Sequence, residues 1–192
     1  MLKLMTPKFR VSFPQVLKPK AIGDGKAKYS MVCLFDIEVI KSDPEEKEKW
    51  GALVAAIKAT ATEEWGADIP NPLKRPFRKG EDKEQYDGYG EGIIYFNVST
   101  TTQPGLVDED VHDIINERDF YAGCYARATI NPYAWTYMGK SGVSFGVQNI
   151  QKLADGEPFG GRTNATDDFD VVGGGDGNKA AASAGNDEDL FG

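Results

Sequence analysis

Phe9, Val11 and Phe13 alternate with Lys8, Arg10 and Ser12 as far as Pro14, a period of two that predicts a half-buried strand with a basic outer face. Pro14, Pro19, Gly23 and Gly25 then mark a loop carrying Lys18, Lys20 and Lys26. A second strand is expected from about Lys28 to Ile40. Its centre, Met31 to Phe35, is apolar enough to be buried on both faces. The period changes after Ser42-Asp43-Pro44-Glu45-Glu46, which has a capping acid, a proline at the first helical position and glutamates facing the dipole. Trp50, Leu53, Val54, Ile57, Ala61 and Trp65 recur at spacings of three and four and predict one long helix ending at Gly66, its tryptophans packing in the core.

Residues 66 to 91 follow as a long polar connection rich in proline and glycine, in which Lys74, Arg75, Arg78 and Lys79 surround Phe77, with Tyr86 and Tyr89 beyond. Connections of this length in a compact domain are either disordered or functional. Strands are expected at Ile93 to Ser99, Tyr121 to Asn131 and Val143 to Leu153, with a helical turn in the acidic stretch Asp108 to Glu117. The last two strands flank NPYAWTYMGKSG, a hairpin with an enlarged aromatic loop. Five strands, one long helix and no alternation of the two predict a mainly β chain, a small Greek-key barrel with extended loops.

Charge divides this picture in two. The 192 residues carry a net charge of -8, but nine acids and two bases lie from Asp155 onward. The preceding residues hold 20 bases against 21 acids, and residues 1 to 31 hold seven bases and one acid. From Gly160 the chain is rich in Gly, Ala, Asn and Asp with no apolar period, which predicts a domain over 1–159 and a disordered acidic tail over 160–192. The tail ends in Asp187, Glu188, Asp189, Leu190, Phe191 and Gly192. Such a tip is a solubilising end, a peptide that docks on partners, or a competitor for the chain's own basic surface.

Candidate chemistry is sparse. Cys33, Cys124 and the single His112 cannot complete a structural zinc site, and too few cysteines are present for a disulfide framework. No apolar run reaches the ~18 residues of a membrane span, and Met1 to Arg10 does not read as a secretion signal. An intracellular chain is therefore expected, in which Asn97 and Asn164 are not glycosylated. Gly23-Asp24-Gly25-Lys26 fails as a phosphate loop because Ala27 follows the lysine and a strand follows that. Asp82, Glu84, Asp87 and Glu91 sit among lysines as solvated charges rather than as a magnesium site. Neither cofactor nor metal nor catalysis is expected; the alternative is a metal-dependent nuclease or other DNA-processing enzyme on the same barrel. A third class, an acidic mimic of DNA, predicts no affinity for DNA even without the tail.

What remains is basic residues interleaved with aromatics outside the expected core. Single-stranded nucleic acid is held by cations that track phosphates and by rings on which bases stack, each stack contributing ~1 to 3 kcal/mol. The candidates are Lys18, Lys20, Lys26 and Lys28 near the first loop, and Lys74, Arg75, Phe77, Arg78, Lys79, Tyr86 and Tyr89 in the long connection. Arg127 and the set Tyr133, Trp135, Tyr137 and Lys140 complete them. The three aromatics occupy alternate positions, so all face one way if the segment is extended. The same rings are equally suited to sealing one end of the barrel.

The stretch FYAGCYARATINPYAW over 120–135, GVSFGVQNIQK over 142–152, DGEPFGGRT over 155–163 and DDFD over 167–170 resemble a family of tailed-phage single-stranded DNA-binding proteins. The likeness extends back to the Phe-Pro-x-x-x-Lys-Pro segment from Phe13 to Pro19. It implies an oligonucleotide/oligosaccharide-binding (OB) barrel that binds single-stranded DNA in phage replication and recombination, in the host cytoplasm and without catalysis. The acidic tail is similar to those through which other replicative single-strand binders recruit replication or recombination proteins, although Gly192 follows Phe191 here. The sequence sets no oligomeric state, and a homodimer is compatible with it.

Overall fold

Five strands close into a ring in the computed structural model, which describes residues 2–21 and 25–161. They are β2 (Phe9–Lys20), β3 (Lys28–Asp36), β5 (Ile93–Thr100), β7 (Tyr125–Tyr137) and β8 (Lys140–Ala154). Antiparallel pairing joins β7 to β2, β2 to β3, β3 to β5 and β7 to β8, while β5 and β8 meet in parallel through Val98 opposite Phe145 and Ser99 opposite Gly146. This is the five-stranded Greek-key barrel of the OB type, and each expected strand contributes one member. Three short strands decorate it: β1 (Leu4–Met5) on β7, β4 (Arg78–Lys79) on β5 and β6 (Gly105–Val107) on β8.

The barrel interior holds Phe9, Val11, Met31, Cys33, Phe35, Phe96, Val98, Ala126, Ile130, Phe145 and Ile150. Phe96 lies 4.9 Å from Phe35 and 5.0 Å from Phe145, centroid to centroid. Helix α2 (Pro44–Trp65) covers one side through Leu53, Ala56, Ile57 and Ala61, with Trp50 5.2 Å from Phe35. Asp43 caps it, its Oδ1 accepting from the amides of Glu45 at 2.9 Å and Glu46 at 3.3 Å, an arrangement that contributes about 1 kcal/mol. Val54, expected on the buried stripe, is exposed.

Other expectations are corrected. The second strand stops at Asp36, whose carboxylate accepts from the amides of Glu38 and Val39 and starts a short helix, α1 (Ile37–Ser42). The β-branched residues Ile37, Val39 and Ile40 suit a strand, but a local cap outweighs that preference. The acidic stretch after Asp108 forms turns rather than helix. The first strand continues past Pro14 to Lys20, and Phe13 faces solvent instead of the core.

Val32 and Leu34 confirm burial on both faces of β3, for they lie outside the barrel beneath Tyr89, Ile93 and Phe159. The cover is held by close backbone approach. Arg10 donates to the carbonyls of Gly123 at 3.1 Å and Glu157 at 2.8 Å, with its guanidinium 4.4 Å from the Phe159 ring. Tyr121 hydrogen-bonds Asp155 and Gly156. The Lys152 ammonium and the Tyr121 hydroxyl both donate to the Asp155 carboxyl and hold it below the usual carboxylate range. A side chain at Gly156 would collide with the carbonyl oxygen of Gly123. Much of the segment that carries the family resemblance is thus packing. Gly156→Ala should destabilise the domain by ~1 to 3 kcal/mol, as overpacking does, read as a fall in melting temperature.

Candidate nucleic-acid interface

Strands β7 and β8 are joined by only two residues, Met138 and Gly139, with φ of 48° and 73°. Positive φ at both central positions matches the twist of the flanking strands. The aromatic segment is therefore strand and not an enlarged loop. Ala126, Ala128 and Ile130 point inward, so Tyr133, Trp135 and Tyr137 share the outward face, their Cα atoms stepping ~7 Å. Trp135 Nε1 donates to Ser144 Oγ at 3.0 Å, and the ring lies so close over Gly142 that a Cβ there would stand 2.6 Å from it.

The backbone of Lys74 is stitched to the same hairpin. Its amide donates to the Ser141 carbonyl at 2.9 Å, and its carbonyl accepts from Val143 at 3.0 Å. Four residues later Arg78 pairs with Tyr95 on β5. The connection thus runs along β8 and then along β5, filling the edge where these strands are only briefly paired. The result is a groove of about 480 Å³ lined by Lys74, Arg75, Arg78, Trp135, Lys140 and Asn97, among others. None of its four cations forms an ion pair among the described residues. An open concave surface with unneutralised like charges attracts a polyanion and not a lone metal ion.

Not every expected contact belongs here. Phe77 packs 4.9 Å from Trp50 and 5.8 Å from Phe96. Burying a phenylalanine is worth about as much (~1.5 to 3 kcal/mol) as stacking one base, so this ring has no reason to leave the core. Tyr89 packs on Tyr95 and donates to Ser12 Oγ at 3.2 Å. Lys79 pairs with Ile94, one residue on from Arg78 and so on the opposite face. Arg127 donates to Gln151 Oε1 at 2.9 Å, eight residues and ~27 Å along β7 from Trp135. Lys18 pairs with Glu117 at 2.9 Å. Lys20, Lys26 and Lys28 stand exposed at the end of the β2–β3 hairpin, Lys20 opposite Lys28, and do not line the groove. Tyr86 is exposed on the loop covering β3, beside Phe13. Asp187, Glu188, Asp189, Leu190 and Phe191 lie outside the described residues.

The floor of the groove is not legible in the residue pattern. Ser30 on β3 and Ser99 on β5 are opposite one another, and Asn97 is exposed two residues away. All three point outward, because Met31, Phe96 and Val98 point inward. Asn97 carries no local signal beyond its N-x-S match. Strand alternation is the signal that finds these residues, once the strand's inner face is known.

A protein family described as "Enterobacter phage Enc34, ssDNA-binding protein" matches residues 2–182. The chain belongs to this family. A relative, protein p50 of Acyrthosiphon pisum secondary endosymbiont phage 1, is 32% identical over 181 residues, covering 88% of this chain and 93% of that one. The solved single-stranded DNA-binding protein of bacteriophage Enc34, in complex with ssDNA, has the same fold: TM-score 0.68 at 18% identity, covering 82% of this chain and 89% of that one. So has gp2.5, a single-stranded DNA-binding protein of bacteriophage T7, with TM-score 0.55 at 14% identity, covering 92% and 99%. The family and both solved proteins are named for binding single-stranded DNA.

Asp87, His112 and both cysteines of this member of the Enc34 family sit in local contacts or are buried among the described residues. The described residues bring no three His, Cys, Asp or Glu side chains together to hold a metal ion. Asp87 accepts from the Gly160 amide, and His112 rests against Asp108. Burial pushes the Cys124 thiol up to about 11 and Cys33 well above its ordinary value, so neither is a nucleophile at neutral pH. The groove depends on one close approach: a Cβ at Gly142 would stand 2.6 Å from the Lys74 carbonyl oxygen. Gly142→Ala should loosen the Lys74 segment and speed tryptic cleavage after Lys74 and Arg78, as mass spectrometry of a limited digest would show.

Proposed function

We propose that this protein binds single-stranded DNA without sequence preference, by phosphate neutralisation and base stacking in the groove of Lys74, Arg75, Arg78, Lys140 and Trp135. The observation that carries this reading is the convergence of four unpaired cations and one edge-anchored indole in a single groove, in a chain of the Enc34 ssDNA-binding family. OB barrels bind oligonucleotides on the face of their second and third strands and on the loops between strands 1 and 2 and strands 4 and 5. Here these are β3 and β5, the turn bearing Lys20, Lys26 and Lys28, and the β7–β8 hairpin. Stacking tolerates every base, because every base has a π face. The nuclease alternative gains no support from the described residues.

The acidic tail, residues 160–192, competes with DNA for the basic surface in this reading and presents Leu190 and Phe191 to replication or recombination proteins in the bacterial host cytoplasm. Charge supports it: the segment from Asp155 on carries nine acids against two bases, on a chain otherwise nearly neutral. A tethered segment acts at ~mM effective concentration, so weak attraction suffices for competition.

Titration of labelled oligo(dT) against salt tests both parts. Four to six neutralised phosphates give a slope of log K on log salt of roughly -3 to -4, at about -0.7 per phosphate for single strands; a flat response removes the electrostatic groove. Deleting residues 170–192 takes away five acids and one base. The shortened chain should bind more tightly at low salt, with the difference fading as the ~10 Å Debye length of 0.1 M salt shrinks. Weaker binding after truncation would sink the competition.

A further inference from the structure

Phe13 is exposed where a regular strand would have buried it. Between Ser12, opposite Val32, and Gln15, opposite Ser30, β2 advances three residues while β3 advances two. The extra residue is a β-bulge, a feature that re-aims side chains. Phe13 takes up a left-handed φ of 46° directly before Pro14, a costly conformation for a bulky residue. Its ring leaves the core side, stays 49% exposed and meets Tyr86 edge-on at 5.3 Å with an interplanar angle of 88°. Tyr86 is itself 44% exposed. The pair is firmly backed, because Tyr86 leans on Tyr89 at 6.0 Å and Tyr89 is tied to Ser12. Lys83 places its ammonium over the same cluster, 6.0 Å from the Tyr86 centroid, 5.9 Å from Tyr89 and 5.2 Å from the buried Tyr95. A fold that accepts backbone strain to hold two open aromatic faces beside a cation calls for a ligand with π faces and negative charge.

The position of these rings supplies it. Ser12, Val32 and Asn97 are successive partners across β2, β3 and β5, so Asn97 stands two strand spacings, ~10 Å, from Ser12. Asn97 also lines the groove of Trp135 and Arg78. The aromatic pair and the groove therefore flank one stretch of sheet, in which Val32 is covered while the neighbouring outward residues Ser30, Ser99 and Asn97 are small and polar and let a backbone pass close.

We propose that Phe13 and Tyr86 form a second base-stacking subsite for single-stranded DNA: a strand held in the groove crosses the outer faces of β5 and β3 and stacks a further base on these rings, with Lys83 meeting its phosphate. The proposal rests on the single-stranded DNA reading above. It adds a contact at the opposite border of the sheet, and so a length requirement.

Oligo(dT) of increasing length, titrated against wild type, Phe13→Ala, Phe13→Gly, Phe13→Tyr, Tyr86→Ala and Trp135→Ala, tests it. The shortest oligomers that bind occupy the groove alone, and Phe13→Ala should match wild type on them. Once oligomers span the sheet, wild type should gain affinity, while Phe13→Ala, Phe13→Gly and Tyr86→Ala lose about 5- to 150-fold against it, the size of one base stack. Phe13→Tyr should retain the gain, and Trp135→Ala should weaken binding at every length. Melting temperature separates a stacking ring from a structural one: Phe13→Gly, which relieves the left-handed backbone, should melt no lower than wild type. Wild-type affinity for long oligomers in the Phe13 and Tyr86 variants, with Trp135→Ala impaired, would overturn the subsite and leave the groove standing. Equal losses at all lengths with a lowered melting temperature would make Phe13 a packing residue and also overturn it. No binding by wild type at any length would overturn the single-stranded DNA reading itself, and the subsite with it.

Discussion

Closing a five-stranded sheet leaves one weak seam, and the rest of the molecule is arranged around it. β5 and β8 run parallel and pair directly only at Val98–Phe145 and Ser99–Gly146. Beyond that point both strands would show unpaired backbone groups, which are costly to leave unsatisfied. The chain between Lys74 and Lys79 supplies the missing partners, first to Ser141 and Val143 and then to Ile94 and Tyr95. Because that filler is basic, mending the seam sets Lys74, Arg75 and Arg78 beside Trp135. The groove is a consequence of barrel closure.

The outer face of the barrel is divided by a second constraint. Val32, Leu34 and Tyr95 are too apolar to stay wet, and Tyr89, Ile93 and Phe159 cover them. The cover fits because glycines let backbone lie on backbone: Gly123 and Gly156 approach each other more closely than a Cβ allows, and Gly88 makes room for the Phe159 ring. Arg10 spends its guanidinium on this clasp, bonded to two carbonyls and resting on an aromatic face. The uncovered part of the same sheet carries Ser30, Ser99 and Asn97. Burial of one half thus delimits the open half that borders the groove.

Aromatic residues show how position, not chemistry, assigns a role. Phe77, Phe96 and Phe145 form one packed cluster with Trp50. Trp135 lies three residues past Pro132 on an exposed hairpin edge, with a single hydrogen bond fixing its angle. A buried ring and a base-stacking ring gain comparable free energy, so each side chain stays where its backbone puts it. Phe77 follows basic residues and Phe13 alternates with core residues, yet the first is packed and the second is open.

Local pattern determined the five strands, the long helix with its Asp43 cap and Gly66 stop, the shared face of Tyr133, Trp135 and Tyr137, and the concentration of net negative charge in the C-terminal segment. These depend on residues a few positions apart, whose periods and caps are written in the chain itself. Contacts between distant segments decided the rest. The first amide of helix α1, that of Ile37, donates to the carbonyl of Gly92, 55 residues on, and the role of Gly142 required Lys74 to arrive from 68 residues away. Phe13 required a bulge that no period of two announces, and Asn97 and Ser99 became a floor only when Phe96 and Val98 were committed to the interior. Sequence spacing specifies which way a side chain faces along its own strand. What that face meets depends on which strand lies next to it, and pairing partners are chosen by closure of the whole sheet.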